Sequence, residues 1–228
     1  MISVIIPTYN EEKYLPRLLK AVSRCEHDDY ELIVVDNHSK DATVKIAREQ
    51  GCQVFKRKER GIGFSRNYGV MKSHGDIVAH LDADSIPCDN WIDKVLSGFT
   101  DRNVLGLGGP TYYGKLIPDV ASSSIFISNI LTRPLGFYFF AGNNSAYRKD
   151  FFLKTGGFKN IVLEEIEFSK RMAPYYSRFK FDKDMMVRLS TRRFDKNGTF
   201  ETLLYWYATD IDIMMGKYKS PESYSETF

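Results

Sequence analysis

Two aspartates separated by one residue stand directly after an apolar stretch of the chain. Asp82-Ala83-Asp84 follows residues 77–81, whose pattern is that of a largely buried strand. Because side chains two apart in an extended chain lie on the same side, we expect both carboxylates to point one way at the end of that strand. Two like charges this close cost free energy unless a cation lies between them. The pair therefore predicts a divalent cation, Mg²⁺ or Mn²⁺, that also holds phosphate oxygens.

The loop after the first strand pattern, residues 2–6, reads Pro7-Thr8-Tyr9-Asn10-Glu11. Thr8 and Tyr9 offer hydroxyls and an aromatic face that suit a base and a ribose. The alternative is a helix-capping turn in which Asn10 is the cap. In open parallel sheets ligands collect beyond the carboxyl ends of the strands, so this loop and the aspartate pair are expected at one edge.

A second loop, residues 36–41, follows the apolar pattern of residues 32–35. A carboxylate at a strand end, such as Asp36, can accept a hydrogen bond from a ribose hydroxyl or a base imide. Ser39 and Asp41 fit a cap and turn before the next helix instead. Asp36 is therefore the candidate binding residue of this loop.

Arg66 lies near the start of a predicted helix over residues 63–73. There it would bind a base carbonyl or a phosphate, and the alternative is an exposed arginine. The preceding Gly61-Ile62-Gly63 resembles a phosphate-binding loop, but it lacks the third glycine of the dinucleotide fingerprint and follows the third strand pattern rather than the first. A Rossmann-type oxidoreductase is therefore not favoured.

Strand and helix patterns alternate over the first 110 residues. Strands that are apolar throughout and alternate with helices indicate an α/β fold with a mostly parallel central sheet and helices on both faces. The strands are expected at 2–6, 32–35, 53–55 and 77–81, and the helices at 15–22, 39–50, 63–73 and 91–99. The second half is less regular, with strands expected at 104–109, 137–141 and within 179–189, and helices at 119–131 and 200–215.

Composition limits the class of protein. The chain has 228 residues, of which 43% are hydrophobic, which is enough for a single domain over 1–228. With 32 basic and 29 acidic residues the net charge is +3, which does not indicate a nucleic-acid partner. Cys25, Cys52 and Cys88 have neither disulfide nor metal spacing, so a reduced, cytoplasmic protein is expected. No apolar run approaches the about 20 residues that a bilayer span requires.

Several segments, taken in order, resemble family 2 glycosyltransferases of the GT-A fold. They are Val4 to Glu11, Ile33 to Thr43, Phe64 to Gly69, Leu81 to Asp84, Ala141 to Arg148, Gly156 to Phe158 and Glu164 to Phe168. Each is short, but their order along the chain is that of the family. The resemblance implies one GT-A-type domain with a nucleotide-sugar-binding half at 1–110 and an acceptor-binding half at 111–228.

The resemblance also implies roles for individual residues. Asp82 and Asp84 would hold the diphosphate through the divalent cation, with Asp84 the more direct ligand. Glu165 stands where the family usually has the aspartate that is its catalytic base, and Asn37 stands where it usually has a second acid beside Asp36. The residues implied in nucleotide binding are Pro7, Thr8, Tyr9, Glu11, Asp36, Arg66, Asp82, Ala83, Arg192 and Arg193.

Two of these assignments have alternatives. Arg192 and Arg193 would contact the leaving diphosphate, for which a guanidinium is well shaped, or they would form a solvated basic pair. The acidic run around Glu165 would otherwise be the exposed start of a helix, which the helix dipole favours. The glutamate is longer than the family's aspartate by one C–C bond, about 1.5 Å, so its reach differs.

The implied reaction transfers a sugar from a nucleoside-diphosphate sugar to a hydroxyl of a glycan or a lipid-linked acceptor, with inversion. The resemblance favours a UDP-sugar over a GDP-sugar as the donor. Three alternatives stay open: a catalytically inactive nucleotide-sugar or glycan-binding module, a nucleotidyltransferase that forms sugar nucleotides, and a retaining enzyme of similar fold. The nucleotidyltransferases usually carry a Gly-rich loop with Arg and Lys after the first strand, where this chain has residues 7–11.

The acceptor side is less defined by the sequence. Residues 112–140, rich in Ile, Phe, Leu and Tyr, would form a lid, a groove for a lipid-linked acceptor or, most simply, part of the core. The tail after Trp206 would rest on a membrane surface or on a partner subunit. Its apolar residues are Ile211, Ile213, Met214 and Met215.

Overall fold

The computed structural model describes residues 1–59, 61–120 and 140–220, which form two sheets and the helices that cover them. The strands of the central sheet are β1 (Ile2–Thr8), β2 (Tyr30–Asp36), β3 (Gln53–Lys56), β4 (Ile77–Leu81), β6 (Gly106–Gly108), β8 (Asn144–Arg148) and β9 (Phe179–Phe181). A small second sheet consists of β5 (Ile86–Pro87), β7 (Thr111–Tyr112) and β10 (Val187–Arg188).

The central sheet has the strand order β3-β2-β1-β4-β8-β6-β9. The first four strands in this order are parallel, and β8 runs antiparallel to both of its neighbours, β4 and β6. Since β9 is parallel to β6, the sheet contains a single reversed strand among the described residues. The predicted α/β fold with a mostly parallel sheet is confirmed.

The helices are α1 (Leu15–Val22), α2 (Thr43–Glu49), α3 (Ile62–Lys72), α4 (Trp91–Gly98), α5 (Lys149–Lys154), α6 (Glu164–Met172), α7 (Arg192–Asn197) and α8 (Thr199–Met214), with a 3₁₀ helix at Ala173–Arg178. Residues 116–120 are also helical. Among the described residues, no helix is both long enough and apolar enough to cross a bilayer.

Side chains of β1 alternate between two hydrophobic cores, one on each face of the sheet. Val4 and Ile6 belong to the core that α1, α2 and α4 cover, and Ile5 belongs to the core that α3, α5 and α6 cover. Because β1 is buried on both faces, it reads as a continuous apolar run. Helices on both faces position the carboxyl ends of β1, β2 and β4 at one open edge.

Most predicted elements of the first 110 residues are confirmed with shifted ends. The strand β1 continues beyond the expected residues 2–6 through Pro7 to Thr8, so the prediction that Pro7 and Thr8 belong to the following loop is wrong. The helix expected from Ser39 begins at Thr43, because residues 37–42 form the loop that follows β2.

In the second half, β6, β9, β10 and α8 confirm the expected strands and the final helix. Residues 119–120 are helical, and the rest of the helix expected at 119–131 lies outside the described residues, as do residues 137–139 of the expected aromatic strand. Phe140 and Ala141 are irregular, so the strand prediction is wrong for these two. The strand β8 was missed, because Asn144 and Ser145 are polar residues buried at the centre of a sheet.

Candidate active site

Thr8 and Asp36 lie side by side at the carboxyl ends of β1 and β2. They are paired in register, and the Thr8 hydroxyl donates to Asp36 Oδ1 at 3.4 Å. The second oxygen of Asp36 accepts from the Ser39 amide at 3.1 Å, and the Asp36 side chain is buried. Tyr9, the next residue after β1, is 45% exposed, so its ring is accessible at the open edge.

The loops after β1 and β2 are joined by hydrogen bonds. The Asn10 amide donates to Ser39 Oγ and the Lys40 amide donates to Asn10 Oδ1, both at 2.8 Å. The Glu11 amide donates to Thr43 Oγ1 at 2.7 Å. Asn10 has φ of 55° and does not cap α1, and Ser39 does not cap α2. The capping alternative for these two residues is therefore wrong, and the two loops form one cross-linked unit.

The aspartate pair is turned outward while the residue between them is turned inward. Ala83 packs in the core beside α1 and α4 and is 3% exposed. The side chains of Asp82 and Asp84 are 25% and 16% exposed. Residues 83 and 84 form a turn in which the Ser85 amide donates to the Asp82 carbonyl at 3.0 Å, so this turn, and not the alternation of an extended segment, leaves both carboxylates partly exposed. Each of them is paired with a different arginine.

Arg66 is the first of these arginines, and it is buried. Its Nη2 donates to Asp82 Oδ1 at 2.7 Å, and its Nη1 donates to Glu164 Oε1. Its guanidinium also lies over the Phe158 ring, 5.6 Å from the ring centroid. The reading of Arg66 as an exposed residue is therefore excluded. A single side chain on α3 joins the turn after β4 to the start of α6.

Glu164 and Glu165 begin α6, directly after Leu163 in the left-handed region at φ of 55°. Glu164 is 2% exposed, and burial raises its pKa while the charge of Arg66 opposes that rise. Glu165 is half-buried, and burial raises its pKa as well. Because Glu164 and Glu167 are both buried, the reading of this run as an exposed acidic helix start is wrong. Of the first two acids, Glu165 is the one with solvent access.

Arg192, the second arginine, joins Asp84 to the loop after β1. Its Nη1 and Nη2 donate to the two oxygens of Glu11 at 2.8 and 2.7 Å, and its Nε lies 3.0 Å from Asp84 Oδ2. The guanidinium also lies over the Tyr14 ring, 4.8 Å from its centroid. Arg192 is thus part of the site in an ion-pair network, and the solvated-pair reading does not hold for it.

Arg193 lies within electrostatic range of two acids of the site. Burial raises the pKa of Asp84, and the charges of Arg192 and Arg193 oppose that rise. The charge of Arg193 also acts to lower the pKa of Glu165. Arg193 therefore adds positive charge near both the predicted metal ligand Asp84 and the predicted base Glu165.

Three residues near the site were not singled out from the sequence as binding or catalytic. Glu164 holds Arg66, Tyr14 supports Arg192, and Asp210 on α8 lies close enough to feel the charge of Glu165. Burial, with a smaller effect of Glu165, raises the pKa of Asp210 to about 7. The acidic pair at the start of α6 was the available signal for Glu164. Tyr14 and Asp210 can be recognised as residues near the site only from the tertiary structure, in which α7 and α8 pack near it.

The comparison with known families agrees with this arrangement. The family model described as "Glycosyl transferase family 2" matches residues 3–156. The chain belongs to glycosyl transferase family 2. The matched range includes the loops after β1, β2 and β4, and it ends before Glu165 and Arg192.

Curated relatives of this family 2 chain are longer proteins. The chain is 34% identical over 116 residues to the glycosyltransferase AglE of Haloferax volcanii. The aligned region covers 47% of the chain and 38% of AglE. The chain is 33% identical over 117 residues to the dolichyl-phosphate beta-glucosyltransferase of Mus musculus. The aligned region covers 44% of the chain and 36% of that protein. The aligned regions thus span little more than a third of either relative.

A solved structure shares the fold over almost the whole chain. Glucosyl-3-phosphoglycerate synthase from Mycobacterium tuberculosis superposes with a TM-score of 0.72 at 20% identity, covering 95% of this chain and 80% of that one. At this identity the similarity establishes the GT-A fold expected for the family.

Proposed function

We propose that this family 2 chain transfers a sugar from a nucleoside-diphosphate sugar to a hydroxyl of an acceptor. The observation that carries the proposal is the buried guanidinium of Arg66, which joins Asp82 after β4 to Glu164 at the start of α6. It joins Asp82, one of the two acids proposed to hold the cation, to Glu164, which directly precedes the proposed base Glu165.

The donor is bound along the carboxyl edge of the sheet. Tyr9 offers a ring for the base, and Thr8 and Asp36 offer oxygens for the nucleoside. Arg192 and Arg193 offer positive charge for the diphosphate, a role that suits the planar guanidinium. The mycobacterial structural neighbour was also solved with Mn²⁺, UDP and glucosyl-3-phosphoglycerate, which supports a UDP-sugar as donor. A GDP-sugar is the alternative.

The residues present suit a divalent cation held jointly with the substrate. No cluster of three or more acidic, histidine or cysteine ligands occurs in the described part of the chain. Mg²⁺ is commonly bound through one or two carboxylates together with substrate phosphates, and Asp82 and Asp84 supply two outward carboxylates. Burial raises the pKa of Asp84, so a cation beside it would stabilise its charged form. Asp82 and Asp84 would hold the cation, which supplies positive charge where the diphosphate departs.

Glu165 is the proposed catalytic base. Its carboxylate removes the proton of the acceptor hydroxyl while the hydroxyl oxygen forms a bond to the anomeric carbon, and the electron pair of the breaking bond leaves with the diphosphate. The transition state is oxocarbenium-like, as in glycoside hydrolysis. Attack opposite the leaving group inverts the anomeric carbon. A carboxylate with a raised pKa is a better base once ionised, and the charge of Arg66 helps to keep Glu165 ionised.

The acceptor is proposed to be a glycan or a lipid-linked molecule. One relative is named for dolichyl phosphate and another, from Staphylococcus haemolyticus, for 4,4'-diaponeurosporenoate; both molecules have long apolar chains. These names favour the lipid-linked class.

The test is a transfer assay with Glu165→Gln. The variant is expected to lose transfer while its affinity for UDP with Mn²⁺, measured by calorimetry, stays within about twofold of wild type. Glu49→Gln, on the exposed end of α2, is the control for a lost negative charge. Near-wild-type turnover of Glu165→Gln would remove Glu165 from the role of base.

The same assay separates the alternative functions. Nucleotide binding without hydrolysis or transfer for any donor would indicate an inactive binding module. Release of pyrophosphate from a nucleoside triphosphate would indicate a nucleotidyltransferase, and retention of the anomer in the product would indicate a retaining enzyme.

A further inference from the structure

Helix α8 has its polar and apolar faces reversed with respect to an ordinary surface helix. Its buried residues are Thr202, Thr209 and Ile213, and the two threonine hydroxyls donate to backbone carbonyls one turn earlier. Its exposed residues, apart from Glu201 and Ala208, are instead large and apolar. A surface helix of a water-soluble protein normally shows the opposite arrangement. The outward face of α8 therefore has the composition of a contact surface and not that of a face exposed to water.

The exposed apolar face of α8 is broad. Its large side chains are between 45% and 69% exposed, and the helical wheel places the face over about 120° of the circumference. Glu201, in the first turn, is the one charged residue in the exposed class between Thr199 and Met214. The face consists of Phe200, Leu204, Tyr207, Ala208, Ile211 and Met214, and Met215 extends it beyond the helix.

Lysines surround the C-terminal end of this face. Lys170 Nζ donates to the Met214 carbonyl at 3.1 Å, and Lys159 Nζ lies 4.7 Å from the Tyr218 ring centroid. Lys219 Nζ lies 3.1 Å from Asp212, and Lys217 stands between the helix end and Lys219. Lys159 and Lys219 are paired with Glu167 and Asp212, whereas Lys170 and Lys217 form no salt bridge with the described residues. The positive charge of Lys170 and Lys217 beside exposed aromatic and aliphatic side chains is complementary to anionic headgroups above an acyl layer.

The width of the face distinguishes a lipid surface from a second copy of the chain. A seam between two helices is narrow. Here Ala208 and Met215 widen the apolar row on one side, as far as the acidic residues Glu201 and Asp212, so the face is broader than such a seam. The sequence pattern left a membrane and a partner subunit equally open, and it counted Ile213 in the apolar set although this residue is 1% exposed and faces the protein.

We propose that the exposed face of α8 docks onto an anionic lipid surface, with the apolar side chains in the acyl region and the lysines at its C-terminal end among the headgroups. The chain then rests on the membrane surface. This inference does not depend on the sugar-transfer proposal, because docking requires neither nucleotide nor acceptor.

The test is co-flotation of the full chain with vesicles of phosphatidylcholine alone and of equal parts phosphatidylcholine and phosphatidylserine. Wild type is expected to float with the anionic vesicles. Ile211→Glu is expected to lower the partition coefficient about tenfold or more, because it replaces a side chain that would enter the acyl region. Met71→Glu, at a 59% exposed position on α3, is the matched control and is expected to float like wild type.

A second variant tests the charge at the helix end. Lys170→Gln with Lys217→Gln is expected to reduce binding to the anionic vesicles by about fivefold per lysine and to leave the far-ultraviolet circular dichroism spectrum unchanged. Absence of flotation with wild type, or equal loss in Met71→Glu, would overturn the proposal. Light scattering that shows a dimer abolished by Ile211→Glu, without vesicle binding, would overturn it in favour of a second copy.

Discussion

Arg192 occupies the position in which its charge competes most directly with a cation at Asp84. At the 3.0 Å between Arg192 Nε and Asp84 Oδ2, two unit charges attract by about 1.4 kcal/mol in water and about 5.5 kcal/mol at an effective dielectric constant of about 20. The Arg192 side chain is 35% exposed, so solvent screening favours the lower figure. Removing this charge is therefore expected to free about 1.4 kcal/mol for a cation at the same carboxylate.

Arg192→Ala should accordingly bind Mn²⁺ about tenfold more tightly than wild type in the absence of nucleotide. Electron paramagnetic resonance measures this directly, because the signal of free Mn²⁺ decreases on binding. Arg188→Ala, at an exposed position in β10, is the control for a general loss of positive charge. Unchanged or weaker Mn²⁺ binding by Arg192→Ala, compared with this control, would refute the reasoning that the guanidinium neutralises the metal site.

Four further outcomes follow from the site. Arg66→Met should lower the free energy of unfolding by about 3–5 kcal/mol in urea titrations, and adding Glu164→Gln should restore part of it, because the buried partner charge is then removed; additive losses would contradict this. Asp84→Ala, or chelation of divalent cations in wild type, should weaken UDP binding in calorimetry, and unchanged affinity would exclude the metal role. Because burial raises the pKa of Glu165, kcat/KM should fall with decreasing pH at a higher pH than for an ordinary glutamate, and a profile without this acid limb would contradict the role of base. The pKa of Asp210 rises from 3.8 to about 7 on folding, so the folded state binds the proton more tightly than the unfolded state. The free energy of unfolding should therefore fall as the pH rises between these values. In urea titrations, Asp210→Asn should flatten this dependence of the free energy of unfolding on pH.

The parallel strands could be predicted from the sequence because their residues are apolar throughout. Residues such as Val4, Ile5 and Ile6 are apolar on both faces of the strand, and turn residues separate each strand from the next helix. The same rule located Asp36 and Asp82 at one edge, since parallel strands end together.

The rest of the site depends on contacts between residues far apart in the chain. Arg66 and Glu164 are 98 residues apart, and Arg192 and Glu11 are 181 apart. Spacing along the sequence carries no record of such pairs. Nor could local propensity reveal β8, where Asn144 donates to the Pro110 and Met185 carbonyls and accepts from the Trp91 indole. Tertiary hydrogen bonds decide the conformation there.

The position of β8 in the central sheet has a consequence for biosynthesis. β8 supplies the neighbour of β4 on the side away from β1, and it leaves the ribosome more than 60 residues after β4 does. Until then β4 is an open edge, with its backbone amides and carbonyls available to any extended segment of another nascent chain. Translation that pauses before residue 144 would leave the chain prone to aggregation, and the acids that follow β4 would acquire their surroundings only at the end of folding.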